Sequence, residues 1–214
     1  MIPAWAFVSA GLTPVVLIAA WLIAGELQPS SYSPMRQTVS VLSGHAGADS
    51  WVMTGGLVLV GIGYLVTAAG MSMIGRAARL GLVAAGVAAI GVALCPVPSH
   101  GSTPSHMFWT GVGELAIASW PVLMILGAAA ARPPDLRVTV VASAVSCALL
   151  IWLVYELHEG SHLGFAERLT SSAQVTWPFV VALGLRRRRV VGSGDPSAVD
   201  PVRPSPLPSC SRPG

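Results

Sequence analysis

The side chains in this sequence that can do chemistry are few and unevenly placed. All five histidines (His45, His100, His106, His158 and His162) fall in three polar stretches or at their edges, together with Glu26, Asp49, Glu156, Glu159 and Glu167. The sharpest local match is His158-Glu159-Gly160-Ser161-His162, which reads H-E-x-x-H. On a helix that spacing puts two imidazoles on one face for zinc, with the glutamate beside them as general base. Gly160 at its centre weakens a helix, and charged Glu156 and small Gly164 depart from the flanks usual in zinc proteases. The sequence dictates no third ligand, so a polar interfacial loop is the preferred reading and a zinc site on His158, Glu159 and His162 the alternative.

Glu114 is a different case, because it lies inside an apolar run at residues 108–130. An ionisable group within hydrocarbon is costly and by default marks a functional site. Its carboxyl is expected to face other helices, protonated or paired with His106, His100 or Arg36, or hydrogen-bonded to a neighbour such as Thr110. Arg36 and Arg168 are the two cations of the polar stretches. Either guanidinium could hold a lipid phosphate or another anion through its planar fork. Ion pairs are the simpler expectation, Arg168 with a nearby loop acid and Arg36 with Asp49 or Glu26. Lysine is absent from the chain, which excludes Schiff-base and Ser–Lys chemistry. Cys95, Cys147 and Cys210 have no spacing that suggests a disulfide framework or a thiolate metal site.

These residues must be positioned by elements of unusual composition. Of the 214 residues 53% are hydrophobic and 10% charged, with mean hydropathy +0.69; soluble domains carry about 25% charged residues. So much apolar surface calls for a bilayer. Six apolar stretches, at 5–25, 51–74, 77–95, 108–130, 138–157 and 169–185, predict an all-α bundle of six transmembrane helices within residues 1–189. The sixth is the least apolar. Residues 190–214, rich in Pro, Ser and Gly, predict a disordered tail. Glycines crowd the second and third stretches, where small residues let helices approach closely. Pro14, Pro121 and Pro178 lie inside the first, fourth and sixth.

The arginines predict the orientation. With six spans, ten of the twelve share one side, and only Arg36 and Arg168 fall on the other. The positive side is cytoplasmic by rule, so both termini are expected inside and the histidine-rich loops outside a bacterial cell membrane. The net charge of +3 reflects this pattern, with the run Arg186–Arg189 closing the last span, and is not read as a nucleic-acid patch.

The same loops carry a resemblance. Tyr32-Ser33-Pro34-Met35-Arg36-Gln37-Thr38-Val39-Ser40 and Trp51-Val52-Met53-Thr54 resemble the domain of unknown function 998 family. So do Pro98-Ser99-His100-Gly101-Ser102-Thr103-Pro104 with His106, and Gly164-Phe165-Ala166-Glu167-Arg168-Leu169 leading into Trp177-Pro178. The resemblance covers about residues 5–188 and implies a prokaryotic six-helix membrane protein without an assigned activity. Val41 stands where many members have an acid. The expected site is therefore an outward polar pocket built from Arg36, Ser40, His100, His106, Glu114, Glu167 and Arg168. It would take a small molecule or lipid headgroup, with no cofactor and no catalysis; a membrane-embedded zinc hydrolase is the alternative.

Overall fold

A computed structural model describes residues 2–99, 101–126 and 136–192. Its elements are all helical: α1 (Ala4–Glu26), α2 (Val39–Leu42), α3 (Trp51–Gly70), α4 (Arg76–Leu94), α5 (Pro104–Leu126), α6 (Leu136–Glu159) and α7 (Leu163–Gly192). Apart from the single turn of α2 they are 19–30 residues long. At 1.5 Å per residue, about 20 residues cross the roughly 30 Å of a bilayer core. Among the described residues five helices, α1 and α3 to α6, are both long and apolar enough to do so. Their surfaces suit that medium, for Trp51, Leu94, Leu126 and Ile151 are each at least 70% exposed.

The sixth stretch departs from expectation. α7 begins six residues earlier than its apolar run and continues through Gly192, so residues 190–192 belong to a helix and not to the tail. Its length suffices for a crossing, but its composition is too polar to place it with the other five. Glu167, Arg168, Thr170, Ser171, Ser172 and Gln174 occupy its first half. Arg168, Thr170 and Gln174 are buried, so this half is shaped to face protein. The rest of the expected tail lies outside the described residues.

The long helices close into a ring. Each packs on its successor, from α1 and α3 round to α6 and α7, and α7 packs back on α1. The tightest seam joins α1 to α3. Gly56, Gly63 and Gly70 recur every seventh residue and face Ala20, Thr13 and Ala6, which recur at the same interval in the opposite direction. A methyl group on any of the three glycines would overlap its partner side chain. Backbones thus meet closely, and polar contacts follow: Ser9 Oγ donates to the Gly63 carbonyl at 2.9 Å and Thr67 Oγ1 to Ser9 Oγ at 3.2 Å. Gly61 and Gly86 bring α3 and α4 together in the same way. Trp120 of α5 lies fully buried, donating its indole N–H to the Ala78 carbonyl of α4 at 2.8 Å. By contrast α6 is the least buried of the five apolar helices.

One end of the ring carries the connections 27–50, 95–103 and 160–162, with α2 folded between them. Of the expected site residues, Arg36, Ser40, His106, Glu114, Glu167 and Arg168 lie in or toward this end.

Candidate functional site

The α2 end is organised by two neighbours on α7, Glu167 and Arg168. Arg168 is 6% exposed, and its Nη1 donates to the carbonyls of Pro34 and Gln37 at 2.9 Å and of Gly164 at 2.8 Å. Nη2 donates to the Tyr32 hydroxyl, and the guanidinium stands over the Trp21 ring, 5.5 Å from its centroid. Burial pushes the Tyr32 phenol up from its ordinary range, with Arg168 opposing, so it stays neutral. The expected ion pair is thus replaced by a clamp on backbone. Carbonyl oxygens of the 28–38 segment do what a loop acid was expected to do. Gly164 lets the two segments meet, since a methyl there would run into the Gln37 and Pro34 carbonyls.

Glu167 holds the same segment from the other side. Its Oε2 accepts from the Val39 N–H at 2.6 Å, and it also bonds both the backbone and the side chain of Ser40. Thr38, at the N-cap of α2, makes no side-chain cap bond. The carboxylate from α7 therefore caps a turn 128 residues distant in sequence.

His106 continues the network. It is 3% exposed, with Nδ1 2.7 Å from the Cys95 carbonyl and Nε2 3.2 Å from Ser40 Oγ. A carbonyl only accepts, so Nδ1 carries the proton and Nε2 faces the serine. Ser40 has one hydroxyl proton and two neighbours, His106 and Glu167. It can donate to both only in turn, unless a further proton sits on one of them.

Two adjoining cavities open on this network. The inner one, about 120 Å³, lies within the ring and touches every element except α6. The second, about 500 Å³, lies between α5 and α6 beneath α2 and the 97–102 connection. Ser40, Thr110, Glu114 and Glu167 line both. The inner cavity is lined by five side chains with buried polar atoms that have no hydrogen-bond partner: Glu114 Oε2, Thr110 Oγ1, Trp21 Nε1, Arg168 Nε and both amide atoms of Gln174. Buried polar atoms are nearly always bonded, so convergence of this many on one space marks a place for a polar guest. Glu114 points into the ring, yet none of His106, Arg36 and Thr110 bonds it there. His106 is engaged elsewhere, and Thr110 Oγ1 is itself unpartnered.

The other named residues fall as follows. Arg36 is exposed and lines neither cavity. His100 lies outside the described residues. The H-E-x-x-H stretch does not form the helical face its chemistry requires, because α6 ends at Glu159 and Gly160 turns the chain with φ +72°. Buried Glu156 fixes that turn, accepting from the His162 N–H at 2.8 Å and the Trp152 indole at 3.3 Å. His158 Nδ1 donates back to the Val154 carbonyl at 3.0 Å, Glu159 is exposed, and His162 Nδ1 lies 2.9 Å from Ser161 Oγ. Among the described residues no three His, Cys, Asp or Glu side chains gather as metal ligands.

Sequence reasoning missed Gln174, Trp21 and Trp109. Gln174 is 2% exposed, and an amide among the hydroxyl residues of α7's first half gave little signal of its own. Trp21 and Trp109 line the inner cavity.

The fold and these loop motifs can be set against known proteins. The family described as protein of unknown function, DUF998, matches residues 12–184. The chain belongs to the DUF998 family. No curated protein and no solved structure matches it. The match includes every cavity residue named above, so the site lies within the DUF998 domain, and the apolar helices suit a membrane protein.

Proposed function

We propose that this DUF998 protein is a multi-pass protein of a bacterial cell membrane that binds a small molecule or lipid headgroup through an outward-facing polar pocket. In this reading residues 1–189 form a six-helix transmembrane domain, α7 supplies the sixth span, and residues 190–214 are a cytoplasmic tail. Both termini face the cytoplasm, and the α2 end faces outward. The bias of ten arginines against two supports that orientation. One observation carries the ligand reading: Ser40, Thr110, Glu114 and Glu167 form a common wall between two cavities, one rimmed with unpartnered polar atoms and the other apolar. The larger cavity falls within the 300–1,000 Å³ range of ligand pockets, and an apolar space with a few convergent polar groups is their usual chemistry.

Native mass spectrometry of the detergent-solubilised protein tests this. Gly111 lines the larger cavity and a methyl there meets open space, so Gly111→Leu sets a branched side chain at the cavity wall. The wild type should carry a non-covalent adduct that Gly111→Leu lacks. A wild type free of any adduct in gentle detergent, or an adduct retained by the variant, would count against the reading.

A further inference from the structure

Glu114 has the least compensated charge of the α2 end. Besides the Tyr64 phenol, three other ionisable groups stand around it, and each of those three has its own partners. Glu167 is bonded by the N–H groups of Val39 and Ser40, Arg168 by three carbonyls and Tyr32, and His106 by the Cys95 carbonyl and Ser40. Glu114 Oε2 is buried and bonded to nothing, and fully buried Gln174 lines the same cavity with an amide carbonyl likewise unpartnered. Thr110 Oγ1 adds a third orphan oxygen, and the aromatic side chains of Trp109 and Tyr64 line the same space. A carboxylate, an amide carbonyl, a hydroxyl and aromatic side chains together are the surroundings that hold an ammonium group.

The neighbouring cavity says what the ammonium is attached to. Beyond the shared wall it is apolar, walled by Leu150 and Leu153 of α6, and its rim is formed by Met107, Leu115, Val154 and Leu157, each 49–67% exposed. Such a rim faces hydrocarbon and not water, so the cavity opens sideways between α5 and α6. We infer that the site takes a cationic amphiphile, its protonated amine at Glu114 and Gln174 and its apolar chain in the α5–α6 cavity. This rests on the ligand-binding reading above and gives it a chemical class. The amine comes either on a tail from the membrane or as a free small amine, and the adjoining apolar space selects the first.

Thermal unfolding of the full chain in neutral maltoside micelles at pH 7 separates these cases, with dodecylamine, dodecanol, dodecanoate and ethylamine as probes. Dodecylamine at about a hundredfold excess over its Kd should raise the midpoint on the order of 5–10 °C. Dodecanol, dodecanoate and ethylamine should each do far less. Glu114→Gln should lose the dodecylamine response, because the amide keeps the volume and removes the charge. Gly111→Leu should weaken it by taking up part of the tail cavity. Dodecanol matching dodecylamine, or Glu114→Gln keeping the full response, overturns cation recognition while leaving a ligand pocket in place. Ethylamine matching dodecylamine overturns the tail. If no tailed probe distinguishes the wild type from Gly111→Leu, the pocket itself is refuted. The headgroup ranking on the wild type decides the inference even where Glu114→Gln does not fold.

Discussion

Replacing Arg168 by alanine should be the most damaging single change at the α2 end. The guanidinium donates to three carbonyls at 2.8–2.9 Å and to the Tyr32 hydroxyl, and it is almost wholly buried. A hydrogen bond to a charged group contributes about 1.5–3 kcal/mol, but the four share one cation and do not add. Its removal leaves three carbonyls and the Tyr32 hydroxyl without their donor, at about 1–3 kcal/mol for each buried group left unsatisfied, so a loss of about 3–5 kcal/mol is expected here. For a chain of this size it corresponds to a midpoint lowered by about 10 °C or more. The effect should also be local. The Tyr32, Gln37 and Phe165 amides are bonded to Pro29, Ser33 and Met35 carbonyls within or against the clamped segment. Their hydrogen exchange should quicken, while amides in the α1–α3 seam stay protected. Arg168→Lys keeps the charge but loses the fork and should fall between. Arg36→Ala, at an exposed position, should stay within about 0.5 kcal/mol of wild type. A loss below about 1 kcal/mol for Arg168→Ala, with exchange at 32–37 unchanged, would refute the clamp.

Three further outcomes follow from the same geometry. Gly63→Ala sets a methyl against Thr13 Oγ1 in the α1–α3 seam and should destabilise the protein by about 1–3 kcal/mol by thermal unfolding, whereas Gly55→Ala, which meets open space, should not. Glu167→Gln keeps one carbonyl oxygen for the Val39 N–H but removes the charge at the start of α2; it should cost about 0.5–2 kcal/mol and speed exchange of the Val39 and Ser40 amides. For orientation, a cysteine placed in the 27–50 connection of intact cells should react with a membrane-impermeant maleimide and one at Arg76 should not; the reverse pattern would invert the assigned topology.

Much of the fold was readable from composition, and much of the site was not, for one physical reason. Apolar runs about 20 residues long announce helices because each must cover its own backbone in hydrocarbon. The seventh-residue spacing of Gly56, Gly63 and Gly70 was visible, but its partners Ala20, Thr13 and Ala6 emerge only once the two helices lie antiparallel. Arg168 and Glu167 stood out as charges, and a sequence offers charges only other charges to pair with. Their actual partners are backbone groups of residues 34–39, which leave no mark on residue identity. α2, a single turn capped from α7, has no local signal of its own. The H-E-x-x-H stretch leaves the helix at Gly160, the residue its own sequence marks as the weak point.

The most direct test is a density map of the protein embedded in native-lipid nanodiscs, at a resolution that shows side chains. The account predicts elongated non-protein density running from Glu114 Oε2 and the Gln174 amide, past Ser40 and Thr110, out between α5 and α6. A cavity closed by protein side chains, or filled with water alone while Glu114 bonds another residue, would contradict it.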